Sequence, residues 1–253
     1  MESPSGNPAA GKRPRGRPPK KEYAPALLMQ ELIVAAAEVY RATQELKATA
    51  AELSLPPNKV KKLLITGKAL HYPETEQIQS LLAEGKPMGE VQKILRLRYS
   101  SIQTYLPYAR AAYKMADVSQ NGERLRRYRE RKAAVERLKA APTEENLWQC
   151  IAAFQQYPFR TMSGLPFSYT LKLGRSGGYT KELFIDRREN SKSLAWSSIK
   201  LAFQKALEQP GAIFARPKEL ADVRGASYSF SLLWRFGVIR VPDEVEAKLR
   251  GGR

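Results

Sequence analysis

At 253 residues, with a formal net charge of +18 and a pI near 10.0, the chain is long enough for one large domain or two small ones and points to a polyanionic partner. One cysteine, Cys150, and one histidine, His71, exclude an internal disulfide framework and clustered zinc ligation, and His71 sits in a connector before Pro73, a poor place for a catalytic base. No apolar run approaches the roughly 18 residues of a spanning helix, the N-terminus carries no apolar signal segment, and there is no GxxxxGK[ST] phosphate loop.

Residues 1–23 hold six Lys or Arg against two Glu and read as a disordered basic tail. Within it, Lys12-Arg13-Pro14-Arg15-Gly16-Arg17-Pro18-Pro19-Lys20-Lys21 combines charge with backbone control. Pro14 and Pro18 hold the chain extended, and Gly16 has no Cβ to keep the main chain off a groove floor. The core Arg15-Gly16-Arg17-Pro18 resembles the AT-hook. That resemblance implies insertion into the minor groove of A·T-rich duplex DNA, with Arg13, Arg15, Gly16, Arg17 and Lys20 in contact. A solvated tail would need the charge but not the prolines or the glycine.

Residues 24–73 form a first unit. Leu27 to Tyr40 is apolar over much of a helical surface, and Thr49 to Leu64 follows with a spacing of its own. Ala50, Ser54, Val60 and Leu63 place a small residue, a turn residue four later, and apolar anchors six and nine beyond that. This stretch resembles the bacterial helix-turn-helix, which implies a second helix lying in the major groove. Pro56 and Pro57 suit the entry and first turn of that helix, whose exposed face would carry Asn58, Lys59, Lys61 and Lys62.

Residues 74–118 repeat the pattern 42 positions on, at Gln92, Arg96, Ile102 and Tyr105, after a helix from Glu74 to Glu84. Gln92 and Arg96 depart from the small residues the motif prefers. The exposed face of this second unit would be Arg98, Tyr99, Ser100, Ser101, Gln103 and Thr104, polar groups able to meet base edges and phosphates.

Residues 119–142 contain a basic helix from Gly122 to Ala140. Leu125, Tyr128, Val135 and Leu138 make a narrow stripe that Lys132 interrupts, while Arg124, Arg126, Arg127, Arg129, Arg131 and Lys132 cover the rest. Arg126, Arg127 and Arg129 are the candidate phosphate contacts. Docking of the stripe on a neighbouring helix, or a solvated spacer, are the alternatives.

Residues 143–253 read as a helix/β-hairpin/helix domain. Thr143 caps a helix that carries Leu147, Ile151 and Phe154 and stops at Pro158. Phe167 to Leu173 alternates, with Phe167, Tyr169, Leu171 and Leu173 on one face. Gly174 to Gly178 turns the chain, and Tyr179 to Ile185 returns. Lys172, Arg175, Lys181, Arg187 and Arg188 make the hairpin basic enough to serve as a wing against DNA; a hairpin that only shields the helices is the alternative. A helix from Ser193 to Gln209 follows, and another ends near Phe236-Gly237. Leu220 to Trp234 shows the helix-turn-helix spacing a third time, with Ser231 where Val or Ile belongs.

The expected fold is therefore mainly α with a C-terminal α+β part: two trihelical helix-turn-helix units, a basic linker helix and the C-terminal domain. The expected function is sequence-specific binding of double-stranded DNA, A·T-rich in part, by a cytoplasmic, nucleoid-associated transcriptional regulator, or a nuclear one in a eukaryote. The alternative is a non-catalytic accessory factor for recombination, replication or chromosome organisation, for instance on a mobile element. No enzyme activity, cofactor, metal or membrane is expected, and the C-terminal domain is left for a protein partner.

Overall fold

The computed structural model describes residues 24–111, 115–175, 177–186, 193–220 and 222–250. It is mainly helical, with a C-terminal antiparallel sheet and its helices, which is the expected class.

The first unit is α1 (Pro25–Thr43), α2 (Leu46–Leu53) and α3 (Pro57–Thr66). Proline opens α1 and α3, where its missing N–H costs nothing. Buried Leu28, Leu32, Ala35, Ala36 and Val39 recur every three or four residues along α1 and meet Ala50, Leu53, Val60, Leu63 and Leu64. Gly67 ends α3 against α1, because a Cβ there would lie 2.4 Å from Ile33 Cγ2.

The second unit is α4 (Pro73–Ala83), α5 (Met88–Leu95) and α6 (Tyr99–Tyr105). Its buried centre is Ile78, Val91 and Ile102, ringed by half-buried side chains. Three such side chains contribute about 2 kcal/mol each. The entropy of ordering some thirty residues is far larger, so contact with the first unit matters to its stability.

Helix α7 (Met115–Ala140) begins well before Gly122, which is buried inside it. Glycine in a helix costs only about 1 kcal/mol relative to Ala, and tertiary packing overrides it here. Val118, Leu125 and Tyr128 join the core of the first unit, while Ala134 and Leu138 join the C-terminal core. The helix is thus a shared beam, packed along its length on both halves, and the solvated-spacer alternative falls away. Its buried stripe runs through Arg131, which is 4% exposed, and Lys132 is the exposed one. This reverses the expected placement. Three residues beyond Tyr128 and three before Ala134, position 131 lies on the stripe by helical geometry.

The C-terminal part starts with α8 (Glu144–Ala153), capped as expected by the Thr143 hydroxyl, which accepts from the Asn146 N–H at 3.2 Å. Strands β1 (Phe159–Arg160), β2 (Pro166–Leu173), β3 (Tyr179–Asp186) and β4 (Leu194–Ala195) form an antiparallel meander in that order. Phe167, Tyr169, Leu171, Leu183 and Ile185 point into the core. Leu173 does not: the β2–β3 register shifts between Leu171 and Leu173, and Leu173 is exposed. Helix α9 (Trp196–Glu208) begins after Ser193 because Leu194 and Ala195 pair with Leu183 and Glu182.

Helices α10 (Pro217–Leu220), α11 (Ala226–Arg235) and α12 (Asp243–Arg250) complete the chain. The third helix-turn-helix spacing does not yield that motif. Gly225 takes φ 82° as the N-cap of α11, so the helix starts at once, whereas two residues separate Ser54 from α3 and Arg96 from α6. A Cβ on Gly225 would also meet Leu194 Cδ1 at 2.5 Å.

Candidate nucleic-acid interface

The two units make the same turn, 42 residues apart. Helix α2 ends on Ser54, in the left-handed region at φ 53°, ψ 41°, and the Leu55 N–H reaches back to the Ala50 carbonyl at 2.9 Å. Helix α5 ends on Arg96 at φ 53°, ψ 34°, and the Leu97 N–H reaches the Gln92 carbonyl at 3.2 Å. Pro56 and Arg98 are then extended, and α3 and α6 begin at Pro57 and Tyr99. A left-handed residue other than glycine costs roughly 1–2 kcal/mol; Ser54 and Arg96 are two of five such residues among those described, with Gln44, Lys68 and Gln156. Val60 and Ile102, the matching anchors, are both fully buried.

The outer face of α3 is not open. Lys59 Nζ donates to Asn121 Oδ1 of α7 at 2.9 Å, and burial, with Arg124 nearby, lowers its pKa. Lys61 Nζ lies 3.5 Å from the ring centroid of Tyr105 and 4.4 Å from that of Tyr72. Lys62 Nζ donates to the Gln103 carbonyl at 2.9 Å and sits 5.0 Å from the Tyr108 ring, with its pKa lowered by burial. The Tyr108 N–H donates in turn to Thr66 Oγ1 at 3.0 Å. Three of the four side chains expected on the reading face therefore build the seam between the units and with α7, and Asn58 alone stays exposed. The physical reason is that a lysine stem packs well on apolar surface while its head finds an aromatic face or a carbonyl.

In the second unit the start of α6 is open. Arg98, Tyr99 and Ser100 are exposed, Tyr99 to 56%, and Lys93 and Arg96 beside them are exposed too. Ser101, Gln103 and Thr104 are half-buried. The Gln103 carbonyl is taken by Lys62, and the Thr104 hydroxyl donates to the Ser101 carbonyl at 2.7 Å. The residues free to meet a ligand are thus those at the turn and first turn of α6.

On α7, Arg126 is braced by Glu123 at 2.8 Å and by Glu130, and Arg129 pairs with Glu31 of α1 at 3.2 Å. Lys132 pairs with Glu38. Arg127 is exposed and has no ion pair among the described residues. All three candidate arginines lie on the exposed side of the helix. In the hairpin, Lys172 Nζ stands 3.8 Å from the Phe184 ring, and Lys181 Nζ lies 6.0 Å from both Trp148 and Trp196. The two hairpin lysines are thereby partly committed to aromatic rings, of β3 for Lys172 and of α8 and α9 for Lys181. Arg13, Arg15, Gly16, Arg17 and Lys20 of the expected hook, and Arg187 and Arg188, lie outside the described residues.

One cluster escaped the sequence reading. Glu52 of α2, Arg131 of α7, Tyr157 before β1 and Arg235 of α11 meet where the first unit touches the C-terminal part. Arg235 pairs with the Glu52 carboxylate, the Tyr157 hydroxyl donates to Glu52 Oε2 at 2.9 Å, and Arg235 Nε donates to the Tyr157 oxygen at 3.0 Å. The partners are 105 and 183 residues apart, so the only local signal was the helical phase of Arg131. Burial pushes the Tyr157 hydroxyl up to about 12, which keeps it a neutral donor. No group of His, Cys, Asp and Glu that could hold a metal occurs among the described residues, and no described helix is long and apolar enough to cross a membrane. Comparison of the chain with protein-family models, with curated proteins and with solved structures finds no match to any of the three.

Proposed function

We propose that the protein binds duplex DNA sequence-specifically, catalyses no reaction, and regulates transcription. The observation that carries this reading is the turn repeated at Ser54 and Arg96, each followed by a helix anchored through Val60 or Ile102, on a chain of net charge +18. In this reading the first turn of α6 meets base edges in the major groove through Arg98, Tyr99 and Ser100. Helix α3 contributes Asn58 and holds the second unit in place through its lysines. Arg127 and its neighbours on α7 meet phosphates, and the tail hook takes the adjacent minor groove.

Mapping of bound sites across the source genome, with footprinting at a fixed salt concentration, tests this. Discrete sites upstream of genes are expected. Binding with no sequence preference at 0.15 M salt overturns the proposal, and a single site beside an origin or element end replaces regulation with an accessory role. Nicking of plasmid in the presence of Mg²⁺ overturns the non-catalytic part.

A further inference from the structure

Between the first unit and the C-terminal part lies a cleft of about 670 Å³, within the range of small-molecule sites. Its walls come from α1, α2, α7, β1, α11 and α12. Seven lining side chains are Lys or Arg and four are Glu. Where Arg131 and Arg235 line it the balance is sharper, because among the described residues they face a single carboxylate, Glu52. That carboxylate is already engaged by Arg235 and the Tyr157 hydroxyl. Among the described residues Arg131 reaches only the Glu52 main-chain carbonyl, and its Nε has no hydrogen-bond partner there.

Arg131 is more than nine-tenths buried, and a buried guanidinium without a full set of partners is costly. Burial lowers its pKa, and Glu52 only partly opposes that. Its guanidinium carbon lies 5.8 Å from the Phe154 ring centroid and 5.3 Å from that of Tyr157. Val39, Val135, Phe159 and Trp234 supply apolar walls. Cationic groups set among aliphatic and aromatic lining are complementary to a molecule with an anionic head and an apolar body. A guanidinium prefers a planar carboxylate, which it can bind in a fork.

We propose that this cleft is a binding site for a small organic carboxylate with an apolar body, held by Arg131 and Arg235. The site stands independently of the DNA-binding reading, since its evidence and its test involve no nucleic acid.

The test is isothermal titration calorimetry of the full chain with 2-naphthoate and with 2-naphthamide, its neutral isostere, at 0.15 M chloride to screen the basic surface. Saturable one-to-one binding of 2-naphthoate, at least ten-fold tighter than of the amide, is expected. Arg131→Lys keeps the charge but loses the fork, and should weaken 2-naphthoate binding about ten-fold. Lys218→Ala, on α10 and outside the cleft, should leave it unchanged. No saturable binding below 10 mM, equal affinity for the amide, several equivalent sites, or unchanged affinity in a folded Arg131→Lys protein would each overturn the proposal. Should Arg131→Lys fail to fold, the comparison of naphthoate with naphthamide on the unaltered chain decides alone.

Discussion

Lys62 Nζ lies 2.9 Å from the carbonyl oxygen of Gln103, so α3 of the first unit grips α6 of the second. Beside it, Lys61 rests over Tyr72 and Tyr105. The two units are thereby held together by direct contacts rather than by the connector alone, and under the proposed function both would meet a duplex in one register.

Replacing Lys61 and Lys62 together with Ala should therefore act first on the fold. Partly exposed cation–π contacts are worth about 0.5–1 kcal/mol each, and a hydrogen bond from a charged donor about 1.5–3 kcal/mol. Amide hydrogen exchange in α4, α5 and α6 should accelerate by roughly ten-fold or more, which is the 1.4 kcal/mol equivalent. Exchange in α8 and α9 should not change. Weakened DNA binding with unaltered exchange would instead place these lysines on phosphates.

The Glu52 cluster gives a second stability test. Glu52→Gln keeps the shape and removes the one carboxylate among the described residues that faces Arg131 and Arg235. Removing one partner of a buried pair costs about 3–5 kcal/mol. With Glu52 and Arg235 side chains 13% and 25% exposed, the lower end, about 3 kcal/mol, is expected as a fall in the urea midpoint at unchanged slope. A change under about 1 kcal/mol would mean that water already compensates the arginines.

What was legible in the sequence follows from how local each cause is. Ala50, Ser54, Val60 and Leu63 specify their turn within fifteen residues, and the alternation from Phe167 to Leu171 specifies a strand by itself. Thr143 announces its cap three residues ahead of its partner. The two-residue strands β1 and β4 leave no periodicity to read, and the start of α7 was hidden behind Gly122, whose helical cost only tertiary packing offsets. For the candidate interface, composition and period identified which residues are polar and which helix carries them. They could not say that Tyr72, Tyr105 and Asn121, each brought in by another helix, would claim the lysines of α3.

Reading of sequence should depend on α6. Arg98→Ala and Tyr99→Ala remove exposed side chains with no place in the core, so folding should be unaffected. Each should relax base preference at one position of the site by about 1–3 kcal/mol, seen as a loss of discrimination in a competition against single-base variants. Asn58→Ala should change a different position. If Arg98→Ala and Tyr99→Ala leave preference intact, the second unit is structural.

The tail makes a separate claim. Arg15→Ala with Arg17→Ala should weaken binding to sites with A·T-rich flanks by roughly ten-fold, as expected for minor-groove contacts worth about 1 kcal/mol or more each. Sites with G·C-rich flanks should lose much less, because their wider minor groove concentrates less negative potential. Equal loss on both, measured at one salt concentration, would reduce the hook to simple charge.

Helix α7 separates phosphate grip from base reading. Neutralising Arg126, Arg127 and Arg129 together should weaken binding about equally for all sequences, because phosphates carry no base information. The slope of log affinity against log salt should fall in magnitude by up to about 0.9 per lost contact. The three should not contribute alike. Arg127 has no ion pair among the described residues and should carry a full contact by itself, while Arg126 and Arg129 already share charge with Glu123, Glu130 and Glu31 and should carry less. Folding should survive, since exposed pairs such as these are worth about 0–1 kcal/mol, and the buried stripe of Val118, Leu125, Tyr128, Ala134 and Leu138 is untouched. A folded triple variant with an unaltered salt slope would leave α7 as the beam between the two halves and nothing more.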